Sequence, residues 1–269
     1  MRLNEIDNNQ NITELLKKHF RITGKISIID GFVNIDGDCK LTSKLSKIPV
    51  KFGEVSGYFY CYDNRLTSLQ GAPSSVGRSF NCHSNQLISL QGAPSSVGDD
   101  FNCSRNQLTS LQGAPSSVGG GFYCHTNQLT SLEGTPSSIG GSFFCSYNKL
   151  TSLQGAPSSV DGDFDCNSNQ LISLQGIPSS VVGDFYCFSN QLTSLQGAPS
   201  SVGKGFYCDY NENLELLKLL FIKNLKQIKI SNNDIVSNIL NKYIGTSPGG
   251  ALACGAELIR AGFKGNVRR

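Results

Sequence analysis

From Phe59 to Asn211 the apolar positions recur on a fixed beat of 21 residues. In the coil that starts at Phe80, Phe80 and Cys82 alternate with Asn81 and His83, the period-two pattern of a short strand with Phe and Cys turned inward. Asn85 follows three residues behind the cysteine, at a tight bend. Its amide can bond backbone groups of neighbouring coils and so build an asparagine ladder. Leu87 and Leu90 then fill the core, Gly92 and Pro94 turn the chain into an extended return limb, and Val97 packs inward before the next strand. Cysteines stand at 61, 82, 103, 124, 145, 166, 187 and 208, and asparagines at 64, 85, 106, 127, 148, 169, 190 and 211. A short fixed period means one supersecondary unit stacked on copies of itself, so the pattern predicts a solenoid with strands on one side.

The flanks break the beat. Asn11 to Phe20 reads as a helix with Asn11 as N-cap and Ile12, Leu15, Leu16 and Phe20 on one face. Lys25 to Ile35 reads as two strands around an Asp30-Gly31 hairpin turn. Residues 1–36 therefore form an N-terminal helix-and-hairpin cap, 37–211 the repeat solenoid, and 212–269 a C-terminal cap. Cys39 is 22 residues before Cys61 but is better placed at the Phe position of a degenerate first coil, with Leu41 at the ladder position. After Asn211, Glu212–Ile222 reads as a short helix and Leu225–Ile235 as a last repeat strand. Asn233 or Asp234 then caps a helix carrying Ile235, Ile239, Leu240 and Tyr243, and a final helix runs from Ala251 to about Ala261.

Composition sharpens this picture. Hydrophobic residues make up 38%, with 29 glycines, as suits a thin body whose coils each bury a few side chains. The net charge of +3 is uneven: +3 over residues 1–53, −5 over 54–211 and +5 over 212–269. The basic residues are scattered, which argues against nucleic acid as partner. No apolar run reaches membrane-spanning length, and the first ten residues lack the apolar core of a secretory signal. Cysteines at one coil position would stack with parallel Cβ vectors, which suits disulfide torsions poorly. The expectation is a reduced, buried ladder in a reducing compartment, hence a cytoplasmic location. Zinc ligation is not expected, because no Cys-x-x-Cys or Cys/His pair has ligand spacing, and no cofactor is implied.

The stretch Gly98-x-x-Phe101-x-Cys103-x-x-Asn106-x-Leu108 resembles the leucine-rich repeat, with Gly, Phe and Cys in place of the first three leucines. Its continuation, Leu111-x-Gly113-x-Pro115, is similar to the short bacterial class known from secreted effectors. The Gly37-Asp38-Cys39-Lys40-Leu41 entry, the Phe-Tyr-Cys coils and the Glu257–Phe263 tail also resemble uncharacterised repeat proteins of bacteriophages and their hosts. The resemblance implies an α/β solenoid: a leucine-rich-repeat-like horseshoe of 21-residue coils, with parallel concave strands, extended convex limbs and helical end caps. Some effectors of this class carry a cysteine-dependent ubiquitin-ligase domain. The 58 residues after Asn211 are too few for it.

Against the constant core, the outward strand positions vary. They hold Tyr60, Tyr62, Asn81, His83, Asn102, Tyr123, His125, Phe144, Asp163, Asp165, Asp184, Tyr186, Phe188 and Tyr207. Rigid aromatics and small polar residues are the make-up of a binding surface, so these positions are the expected partner-binding face for a host or bacterial protein. The alternative is that the aromatics merely stack between strands and stabilise the sheet. Asp163, Asp165 and Asp184 could bring three carboxylates together for Ca²⁺, but a solvated acidic patch facing a basic partner is the preferred reading. His83 and His125, two coils apart, are too distant to chelate one metal. Cys254 lies in an apolar helix and reads as core, so no nucleophile with a base emerges and an enzyme is not expected. The resulting expectation is non-enzymatic protein recognition, extending to inhibition of a host protein by a phage. The rivals are a virion or appendage component, a carbohydrate or nucleotide receptor, and RNA binding through the basic caps.

Overall fold

The computed structural model describes residues 3–211, 216–230, 234–261 and 263. The chain divides into two compact units, Met1–Gln128 with Gly134–Ile139, and Leu129–Glu133 with Gly140–Arg269. Both are β-solenoids of 21-residue coils.

In the first unit, helix α1 (Leu3–His19) leads into strands β1 (Phe20–Ile22), β2 (Lys25–Ile29), β3 (Phe32–Asp36), β4 (Cys39–Leu41) and β5 (Lys51–Val55). One sheet starts with β1 lying antiparallel on β4. It continues in parallel register through Phe59–Tyr60, Phe80–Asn81, Phe101–Asn102 and Phe122–Tyr123. Cys39 pairs with Phe59, so the first coil is degenerate in the expected way. The second sheet runs from the β2–β3 hairpin through β5 to Ser75–Val76, Ser96–Val97, Ser117–Val118 and Ser138–Ile139. Asp30 and Gly31 are both left-handed, at φ 52° and 78°, as a two-residue hairpin turn of right-handed twist requires. The return limb is thus a parallel ladder in its own right, beyond the merely extended segment expected.

The second unit repeats this plan. One sheet holds Phe143–Phe144, Phe164–Asp165, Phe185–Tyr186, Gly205–Tyr207 and Gln227–Lys229; the other holds Ser159–Val160, Ser180–Val181 and Ser201–Val202. Between the sheets the eight repeat phenylalanines and the repeat leucines are buried, and each such side chain contributes about 1.5–3 kcal/mol of burial free energy. The rings follow one another along each unit, stacked at 5.5 Å for Phe59–Phe80 and tilted at 5.4 Å for Phe143–Phe164, close to the spacing of adjacent strands. Gly92 shows why the turn before each proline is glycine. Its φ is 89°, and a Cβ there would sit 2.9 Å from the Leu69 backbone.

The ends depart from expectation in four places. Helix α1 starts at Leu3, so Asn11 is interior rather than an N-cap, and Phe20 leaves the helix to open β1. In the C-terminal segment, Leu216–Phe221 is a 3₁₀ helix; residues 212–215 and the alternative cap Asn233 lie outside the described residues. Helix α2 (Asp234–Lys242) buries Val236, Ser237, Ile239 and Leu240, leaving Ile235 exposed. It is turned that way because Ser237 and Asn241 face the last strand. Asn241 donates to the Ile228 carbonyl at 2.8 Å and accepts its N–H at 2.7 Å, while Ser237 accepts the Ile230 N–H at 2.9 Å. Polar helix residues thereby cover an edge that would otherwise be open. Helix α3 spans Pro248–Arg260, three residues longer at its start than expected, because proline is tolerated in a first helical turn.

Candidate functional site

Two ladders position the outward side chains. The first is the expected asparagine ladder. Asn85 donates Nδ2 to the Cys61 and Cys82 carbonyls, each at 3.0 Å, and accepts the Leu66 N–H at 2.9 Å. Asn169 does the same in the second unit. The residue before each asparagine carries a left-handed backbone although none is glycine, with φ from 51° to 57° over Asp63, Ser84, Arg105, Thr126, Tyr147, Ser168, Ser189 and Tyr210. This strained position holds because the asparagine amide clamps the bend on both sides.

The second ladder was not foreseen. At the position before Phe, a side-chain oxygen accepts the backbone N–H of the same position one coil on. Asp100 takes Gly121 at 2.7 Å, Asp163 takes Asp184 at 2.8 Å, Asp184 takes Gly205 at 2.8 Å, and Ser142 takes Asp163 at 3.0 Å. Those N–H groups lie at the start of, or just before, the short strands and need an acceptor. Asp163 and Asp184 are therefore fixed along the coil axis. Asp165 turns to its own bend, accepting the Asn167 N–H at 3.0 Å and its Nδ2 at 2.5 Å. The three carboxylates do not converge, and no three metal-ligating side chains gather among the described residues.

In the first unit Tyr60, Tyr62, Asn81, His83, Asn102 and Tyr123 line one groove of about 490 Å³, together with Ser79 and Asp100. His125 lies outside its lining. Tyr62 stacks on His83 at 5.0 Å and 2°, and Tyr58 on Tyr60 at 5.3 Å. Asn81 and Asn102 accept the backbone N–H of His83 and Ser104. His83 and His125 contact Ser84 and Thr126 through Nδ1. Burial pulls both imidazoles below their ordinary range, with Arg105 pushing the same way. Burial raises the Tyr60 hydroxyl. Two cations of the chain itself sit on this face. Lys40 lies 4.8 Å over the Tyr62 ring and donates to its hydroxyl at 2.7 Å; the Arg78 guanidinium lies 5.3 Å over Tyr58 and donates at 3.1 Å.

In the second unit Tyr186 stacks on Tyr207 at 4.6 Å and 17°, and Phe188 meets Tyr186 edge-on at 6.4 Å. Burial and then Asp184 raise the hydroxyls of both tyrosines. Burial pushes the Asp165 carboxyl above the ordinary carboxylate range despite its hydrogen bonds. Phe144 occupies the equivalent position three coils before Tyr207.

Every one of these fourteen outward residues is half-buried rather than exposed, because coils one strand-spacing apart shade each other. The position after Cys departs further: Ser104, Ser146, Asn167 and Asp209 are buried. Sequence reasoning also missed Gly121 and Gly205 as ring seats. A Cβ on either would meet the ring of Tyr123 or Tyr207 at 2.6 Å, so each tyrosine folds back over the glycine two residues before it. The signal was present, since both coils with Gly before Phe carry Tyr between Phe and Cys.

All ten cysteines are free and buried. Burial pushes Cys39 up to about 12 and Cys254 up to about 11, so neither is a thiolate near neutral pH. No helix among the described residues is long and apolar enough to cross a membrane. No family model matches the chain, and no curated protein matches it. Among solved structures, YopM from Yersinia enterocolitica WA-314 is similar at a TM-score of 0.36 and 16% identity, over 65% of this chain. The chain spans 60% of that one.

Proposed function

We propose that the chain is a non-enzymatic scaffold that binds another protein through the outward face of its Phe-x-Cys strands. The observation that carries this reading is the contrast between two sets of positions. The inward set is Phe, Cys and Leu in coil after coil and is fully buried. The outward set changes from Tyr to Asn, His, Phe and Asp, yet is held in place by ladders and ring stacks. A surface ordered before it meets a partner loses little side-chain entropy on binding. The buried, protonated thiols support a reducing compartment. In the phage or host setting that the sequence resemblance implies, the bound protein is a bacterial host protein and the consequence is its inhibition.

The test uses two variants, Tyr60→Ala with Tyr123→Ala in the first unit, and Phe144→Ala with Tyr186→Ala in the second. Protein captured from bacterial lysate is identified, purified and titrated against each by calorimetry. Loss of binding in one or both folded variants is expected. Unchanged binding in both would place the contact on the end caps and refute this reading. Cosedimentation with virion particles and no captured partner would favour a structural component instead.

A further inference from the structure

We propose that the outward face of the second unit takes an arginine side chain of a partner protein, its guanidinium lying against the Tyr186–Tyr207 pair and held by Asp163 and Asp184; this rests on the protein-binding reading above. Three observations meet there. The tyrosine rings are stacked at 4.6 Å and half-buried, so they present a fixed aromatic surface. Asp163 and Asp184 stand on successive coils, each anchored through one oxygen to a backbone N–H at 2.8 Å. Their charge is therefore held in position before any ligand arrives. The Tyr186 hydroxyl is hydrogen-bonded to Asp184, which places the end of that ring beside the aspartate row.

The third observation is the chain's own precedent. In the first unit, strand-face tyrosines already hold cations, Lys40 on Tyr62 and Arg78 on Tyr58, each over the ring and hydrogen-bonded to the hydroxyl. Among the described residues no cation lies over Tyr186, Tyr207 or Phe188. Lys204 approaches Asp163 only to 3.9 Å with 60% of its side chain exposed, a contact that competing ligands displace readily. Arginine suits this setting better than lysine, because a planar guanidinium can stack on a ring and fork to a carboxylate together.

The test is an NMR titration of the labelled full chain with acetyl-Gly-Arg-Gly-amide, and with the lysine and citrulline versions of that peptide. Saturating shifts are expected at backbone amides of 184–188 and 205–207, strongest for arginine and absent for the uncharged citrulline peptide. In Asp163→Asn/Asp184→Asn the ladder acceptors remain and the charge is gone, so the fold is kept and binding weakens about tenfold or more. Equal binding of the citrulline peptide, unchanged binding by the double variant, shifts confined to other segments, or no shifts at millimolar peptide would each overturn the proposal. The two readings separate cleanly. A protein partner lost on Phe144→Ala/Tyr186→Ala but kept by Asp163→Asn/Asp184→Asn leaves the binding face standing and removes the arginine.

Discussion

Replacing Asn85 by alanine isolates the asparagine ladder from the hydrophobic core. Asn85 is 8% exposed and serves both coils it touches. Its Oδ1 is the acceptor for the Leu66 N–H, which alanine leaves orphaned at a cost of about 1–3 kcal/mol. The carbonyls fare better. Cys61 keeps the amide of Asn64 and Cys82 keeps that of Asn106, so each loses one of two donors, at about 0.5–1 kcal/mol apiece. The expected loss is about 2–5 kcal/mol. Because repeat arrays open locally, the fitting assay is hydrogen exchange at the Leu66 amide, which should quicken about 30- to 4,000-fold. Asn85→Asp should be worse near neutral pH, since the carboxylate oxygen that replaces Nδ2 turns a charged acceptor toward the Cys61 and Cys82 carbonyls. It should recover partly in acid, where the protonated form donates. Exchange at Leu66 quickened less than about fivefold by the alanine variant, or an aspartate variant as stable as wild type, would refute the account.

Three further outcomes are expected. Tyr147 is exposed at φ 54°, so Tyr147→Gly should relieve left-handed strain and stabilise by about 1 kcal/mol in urea unfolding, with destabilisation the contrary result. Asp165 is held above its unfolded carboxyl range by burial, so its folding penalty is absent in acid and develops as pH rises through the folded value. Asp165→Asn should therefore raise the urea midpoint at pH 7 and leave it unchanged well below the carboxylate range; equal midpoints at pH 7 would count against the burial effect. The ten buried thiols should resist a disulfide reagent at pH 8 until denaturant is added, and rapid native labelling of any one would contradict the packing.

The repeat body was readable because its periodicity is local. The inward Phe and Cys, the bend asparagine and the degenerate Cys39 coil all follow from residue type and spacing, and the registers agree. What escaped depends on contacts between residues far apart in sequence. The polar run Asn8–Asn11 gives no apolar stripe, so the first turns of α1 were invisible. Strand β1 exists only because Phe20 finds Leu41 as its antiparallel partner. The half-burial of Tyr60 or Tyr186 is made by the coils on either side, and the aspartate ladder by an N–H 21 residues away. The rotation of α2 was decided by Ser237 and Asn241 reaching the last strand, a polar demand that an apolar count cannot weigh.

The second ladder explains where this surface can vary. In the first repeat the position before Phe is Tyr58, whose hydroxyl accepts from Arg78; in the later coils it supplies an oxygen to the next coil or is a glycine that seats a ring, and it holds Ser79, Asp100, Gly121, Ser142, Asp163, Asp184 and Gly205. The position after Cys closes over its own bend, as Ser104 does by donating to Asn102 at 2.7 Å. Only the residue between Phe and Cys has no duty toward a neighbouring backbone in most coils, and there Tyr, Asn, Phe and Asp alternate without disturbing the core. Aspartate before Phe consequently has two effects at once: it satisfies the stack and fixes a negative charge beside whichever ring follows. Asp163 and Asp184 beside Tyr186 and Tyr207 are this arrangement twice over, whereas in the first unit Arg78 and Lys40 already cover Tyr58 and Tyr62. The requirement of the fold and the chemistry of the surface thus meet in one row of side chains, and that row is where recognition should be sought.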